Sequence, residues 1–115
     1  KKEIIYKTRA DLPVLGIEGE MPNSAIYTAY SAYRLKFKEA VADYDKVYIY
    51  ADDLSEIKKR FPFKKGQENL IVLKTDEFLP QYGKIASLGQ IYVDLWNLNE
   101  WYAHDYLEAL KKRIF

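Results

Sequence analysis

The spacing of apolar residues changes along the chain, and each change predicts an element. Residues 3–8 (Glu-Ile-Ile-Tyr-Lys-Thr) are short and β-prone and predict a strand, which Arg9 to Pro13 end. Gly16 and Gly19 lie three positions apart in residues 14–20, which predicts a tight backbone turn there. After Pro22, Asn23 and Ser24, the apolar residues Ile26, Ala29, Tyr30 and Tyr33 recur at steps of three, one and three, placing them on one face of a helix of about three turns. Residues 34–38 then alternate charged and apolar, a period of two that predicts an exposed edge strand with Arg34, Lys36 and Lys38 in water.

The second half is more sharply punctuated. Residues 46–51, flanked by Asp45 and Asp52, predict the central strand, and Asp52 or Asp53 is placed to cap a helix over residues 54–61 that stops before Pro62. Residues 70–73 are continuously apolar and predict a strand buried on both faces. Pro80, Gly83 and Gly89 mark residues 76–90 as mostly connector, and the apolar run at residues 90–95 predicts one more strand. Asn97 or Asn99 then caps a long helix whose Leu98, Tyr102, Tyr106, Leu110 and Ile114 stand four apart. Lys111, Lys112 and Arg113 suit the negative end of its dipole. Together these elements predict an α+β fold: a small mixed sheet packed mainly on one face by two to three helices and ending in a long amphipathic C-terminal helix.

Composition narrows the function classes. With 115 residues the chain suits a single domain, and because it begins Lys1-Lys2 with Met21 as the only methionine, it is expected to be an excised or processed piece of a longer protein. Lys and Arg total 18 against 17 Asp and Glu, so the net charge of +1 offers no global field to gather a polyanion or an anionic membrane. Zero Cys excludes disulfides and thiolate metal sites, and no apolar run approaches the roughly 20 residues that cross a bilayer, so a cytoplasmic location is expected. Eleven Tyr beside abundant Lys and Glu and few Asn or Gln lean toward a heat-adapted, archaeal or thermophilic source.

No residue set forms a complete catalytic site. His104 beside Asp105 has the elements of an oriented general base, yet no second histidine or nucleophile motif accompanies it, and a rim histidine is the simpler reading. Glu56-Ile57-Lys58 matches the Glu-x-Lys of metal-dependent nucleases but lies on a helix where charges alternate for solubility. Asp94 sits inside an apolar segment and needs partners there: either a cation shared with Glu18, Glu20 or Asp76, or, as the favoured reading, hydrogen bonds that fix the backbone. Lys58, Lys59 and Arg60 with Lys64 and Lys65, and Arg34, Lys36 and Lys38 near many tyrosines, are the two basic clusters open to nucleic acid. Gly16-Ile17-Glu18-Gly19 has the wrong length for a phosphate loop, so no cofactor is expected.

Four segments, Ala25 to Tyr30, Val47 to Ala51, Asn69 to Leu73 and Gln90 to Trp96 with its Tyr92-Val93-Asp94-Leu95, carry a family resemblance. In their order they resemble the C-terminal domain of AbiEi-like antitoxins, the transcriptional regulators paired with nucleotidyltransferase toxins in type IV toxin-antitoxin systems. A Pro that the family usually carries before its Tyr-x-Asp-Leu is absent from Ala86-Ser87-Leu88-Gly89. The resemblance implies a DNA-binding winged-helix domain N-terminal to this chain and a fragment that contacts a protein partner, a nucleotidyltransferase toxin, or pairs with itself. The expected function is therefore non-enzymatic, with a tyrosine-rich surface as the recognising part. Tyr27, Tyr30, Arg34, Lys36, Lys38, Asp94, Trp96 and Trp101 are the candidate binding residues. The alternative is a metal-dependent nuclease-like domain built on clustered carboxylates.

Overall fold

Val47–Ala51 is a run of five apolar residues, all buried, as a strand covered on both faces demands. In the computed structural model, which describes residues 2–75 and 84–115, this strand (β3) pairs in parallel with β4, Leu70–Lys74, whose first four residues are buried as well. β1, Ile4–Thr8, adds to the far side of β4 antiparallel, and β2, Ile26–Thr28, adds to β3 antiparallel, giving a mixed four-stranded sheet of order β1-β4-β3-β2. The residues 84–86 run along the outer edge of β2, where Tyr27 donates its amide to the Lys84 carbonyl and accepts from the Ala86 amide, so this edge is not left bare.

Helices cover both faces unequally. Three of them, α2 (Ala29–Phe37), α4 (Leu88–Trp96) and α5 (Ala103–Ile114), enclose the larger core with Tyr48, Tyr50, Ile71 and Leu73 of the sheet. The short α1 (Val14–Gly19) and α3 (Leu54–Arg60) cover the other face, where Ile17 and Ile57 meet Val47, Ile49, Leu70 and Val72. The alternation along β3 sorts the two cores: its tyrosines point to the larger, its aliphatic residues to the smaller. The α+β architecture, the mixed sheet packed mainly by three helices on one face and the amphipathic last helix all agree with the sequence pattern. Among the described residues no helix is long and apolar enough to cross a membrane.

Several segments differ from their local pattern. Of residues 14–20, Val14–Gly19 form helix α1 and not a turn; Ile17 is fully buried against β3, and that burial outweighs the helix penalty of two glycines. The helix expected from residue 25 starts only at Ala29, because Ile26, Tyr27 and Thr28 pair with Tyr50, Ile49 and Tyr48 as β2. Residues 34–37 continue that helix and are not an edge strand: Phe37 packs at a tilt on Tyr33 four residues back, at 4.7 Å between ring centres. Residues 90–95 are helical too, as part of α4, with Ile91, Asp94 and Leu95 buried at steps of three and one, and Ser87 accepts the Gln90 amide as N-cap. Asn97 consequently ends α4 and does not start the last helix, which begins at Ala103. α3 has the expected cap, with the Asp53 carboxylate accepting the Ser55 amide at 2.9 Å. The connector expected at residues 76–90 lies outside the described residues between 76 and 83.

Candidate functional site

Among the described residues seven tyrosines lie in the larger core, and their hydroxyls bring polar chemistry into it. A buried phenol must find an acceptor, and three carboxylates supply most of them. Asp94, 7% exposed on α4, accepts at Oδ2 from Thr28 Oγ1 and from Tyr50 OH, both at 2.6 Å, and at Oδ1 from Gln90 Nε2 at 2.8 Å. This one side chain ties α4 to β2 and β3. Glu100, in the α4–α5 connection, accepts from Tyr30 OH at 2.8 Å and from Tyr48 OH at 3.1 Å. Glu18 on α1 accepts from Arg34 at 2.7 Å and from Tyr44 OH at 2.7 Å, while Arg34 Nε donates to Tyr44 OH.

These environments hold the phenols neutral. Burial first, then the Glu100 hydrogen bond, pushes Tyr30 far above the usual tyrosine range, and burial with the Glu100 charge does the same for Tyr48. Tyr44 is raised by burial and by Glu18, Tyr102 by burial and by Asp45, which accepts its OH at 2.5 Å. Tyr106 is raised mainly by burial, and Tyr27 by burial with the Glu18 charge.

The candidate residues from the sequence do not form one site. Tyr30 is fully buried among Tyr44, Tyr48, Tyr102 and Tyr106, which removes it from any surface, and the expected tyrosine-coated skin is corrected to a tyrosine-filled interior. Tyr27 is half-buried, its OH donating to the Glu18 carbonyl at 2.6 Å. Arg34 is engaged by Glu18, whereas Lys36 and Lys38 are exposed at the end of α2, Lys38 in the left-handed C-cap conformation. The other basic cluster lies on and after α3, across the sheet from α2, so the two are not one surface. Glu56 pairs with Arg60, Lys58 lies over the Tyr6 ring, and His104 is exposed on α5. Glu20 is exposed, Asp76 lies outside the described residues, and among the described residues no three of His, Cys, Asp and Glu gather around a common point.

Trp96 and Trp101 do stand outside, 64% and 77% exposed. Trp96 stacks on Tyr92 at 6.3 Å, and Tyr92 meets Phe115 edge-on at 5.9 Å, so the outer side of α4 and the end of α5 form a continuous aromatic ridge. Val93, 47% exposed and one turn before Trp96, extends it. The reading of this segment as a strand hid the ridge, since only a helix puts Tyr92, Val93 and Trp96 on one side. Thr28, Tyr50, Gln90 and Glu100 were missed as well; a carboxylate four residues after a Gln on one helix is a signal for Gln90 alone, and Thr28 and Tyr50 reach Asp94 only through the fold. Ala29, the first residue of α2 and directly after β2, takes φ +54°, a left-handed conformation costing about 1–2 kcal/mol for a residue with a Cβ.

The Glu18–Arg34 pair gives a test of this internal chemistry. Arg34→Met is expected to lower stability by about 2 kcal/mol, because Glu18 stays buried with Tyr44 as its remaining partner. In a Glu18→Gln background the same change should cost markedly less, measured by urea unfolding of the four proteins; equal costs would show that the pair is not coupled. No family model, curated protein or solved structure matches this chain.

Proposed function

We propose that this chain is a non-enzymatic regulatory domain of a cytoplasmic DNA-binding regulator, and that it recognises a protein partner through the aromatic ridge of α4 and α5. The observation that carries the reading is the exposure of Trp96, Val93 and Phe115 on one ring-linked surface. Large aromatics left in water without a partner are costly in a soluble fold, and they are the residues that dominate protein interfaces. The resemblance to AbiEi-like antitoxins supplies the partner class, a nucleotidyltransferase, and assigns DNA contact to a winged-helix domain elsewhere in the polypeptide. The nuclease-like alternative lacks comparable support, since Asp94 and Glu18 each hold hydroxyl, amide or guanidinium donors of their own and, among the described residues, join no cluster of three carboxylates.

Sedimentation velocity with a nucleotidyltransferase encoded beside this protein tests the reading. The wild type is expected to form a complex, and Trp96→Asp with Phe115→Asp to weaken it by about a hundredfold, or roughly 3 kcal/mol, with unchanged melting. A complex indifferent to both substitutions, or none at all, overturns the proposal. Magnesium- or manganese-dependent nicking of plasmid DNA that Asp94→Asn abolishes would restore the enzyme reading.

A further inference from the structure

The strained junction at Ala29 borders a cavity of about 180 Å³, lined there by Thr28 and Ala29 and on the α4 side by Asp94. A cavity of about 150 Å³ accepts a ring the size of benzene. Ile4, Leu73 and Leu98 give this one apolar walls, and Ile4 is 46% exposed, so the cavity reaches the surface at β1. None of this belongs to the aromatic ridge, and the inference does not depend on the function proposed above.

Two electrostatic features set the sign of what fits. Asp94 uses three of about four lone-pair positions on Thr28, Tyr50 and Gln90, which leaves one acceptor position. Helix α4 ends at the cavity through Asn97, with no basic residue in its last turn, so the negative pole of its backbone is not offset from within the helix. Lys2 shares the wall, its ammonium 5.9 Å from the centre of the Tyr50 ring, and is the positive charge of the lining. A ligand cation would compete with Lys2 for the same field.

We propose that this cavity binds a small organic ammonium, its charged nitrogen at Asp94 and the end of α4 and its hydrocarbon against Ile4, Leu73 and Leu98. The strained backbone at Ala29 is then part of the binding wall, where conformational strain is commonly stored. A neutral analogue of the same shape loses the charge contact, and an anionic one meets Asp94 as a like charge.

The test is an NMR titration of the intact protein with benzylamine, benzyl alcohol and benzoate at neutral pH. Benzylamine is expected to bind saturably with a Kd of about 1 mM or tighter, shifting the amides of Thr28, Ala29 and Leu98. Benzyl alcohol and benzoate are expected to bind at least about tenfold more weakly. Ile4→Trp, on an edge strand that tolerates a large side chain, should fill the cavity and remove benzylamine binding with the melting temperature kept. Lys2→Ala should tighten benzylamine binding or leave it unchanged. The proposal is overturned if benzylamine shows no saturable binding, if benzoate binds as well as benzylamine, or if Lys2→Ala weakens the amine. The comparison of the three probes on the wild-type protein decides the matter even where Ile4→Trp melts early.

Discussion

On titration above pH 10 the protein is expected to unfold within a narrow interval, with tyrosinate absorbance rising together with the loss of circular dichroism and not before it. Unfolded tyrosines ionise near pH 10. In the folded protein Tyr30, Tyr44, Tyr48, Tyr102 and Tyr106 are all raised above that value, chiefly by burial. The sign follows directly: the stability these groups contribute is fully present below pH 10 and is lost as pH climbs from there toward the folded-state values, because the unfolded chain releases protons that the folded one retains. Each group steepens the loss by about 1.4 kcal/mol per pH unit, so five acting together remove at most about 7 kcal/mol per unit, comparable with the whole stability of a domain this size. Gradual ionisation of most tyrosines near pH 10 with the fold intact would show that the interior phenols are not sealed as the structure has them.

That interior explains which parts of the fold the sequence made legible. β3 and β4 were readable because five and four consecutive apolar residues have no solvated side to present, and α3 because Asp53 stands where a cap must. β2 and α2 were not, because Ile26 to Tyr33 satisfies a helical period and the strand ends inside it at a positive-φ alanine, a break that no glycine advertises. For α4 the ambiguity is intrinsic: a six-residue apolar run fits a strand or one buried helix face, and only Ser87 as cap and the partners of Asp94 decide it. The candidate site divides the same way. Asp94 was recognisable as a carboxylate needing partners, but its donors come from residues 44 and 66 positions away and from Gln90, so their identity depends on topology. Tyrosine content, likewise, fixes neither side of the surface until the sheet sorts Tyr48 and Tyr50 inward.

Asp94 should be the most costly single polar residue to remove. Asp94→Ala strips the acceptor from Thr28, Tyr50 and Gln90 at once, so that two buried hydroxyls lose the carboxylate they donate to. A loss of about 4 kcal/mol is expected, which for a domain of this length lowers Tm by about 15 °C. Asp94→Asn, which keeps the shape and one accepting oxygen, should cost about half as much. Thr28→Val and Tyr50→Phe each remove one donor and leave the carboxylate with the others, so about 1–2 kcal/mol apiece is expected. The informative protein is the triple variant Asp94→Leu, Thr28→Val, Tyr50→Phe. If the cost of Asp94→Ala is the penalty of unpaired buried groups, taking away the donors together with the acceptor should recover most of the loss, leaving only Gln90 to turn toward solvent. If the triple variant is as unstable as the sum of its parts, Asp94 acts through the packing of α4 on β2 and β3 and the hydrogen bonds are incidental. Urea unfolding with a constant m value decides between the two, since a network penalty changes the midpoint while the surface exposed on unfolding stays the same.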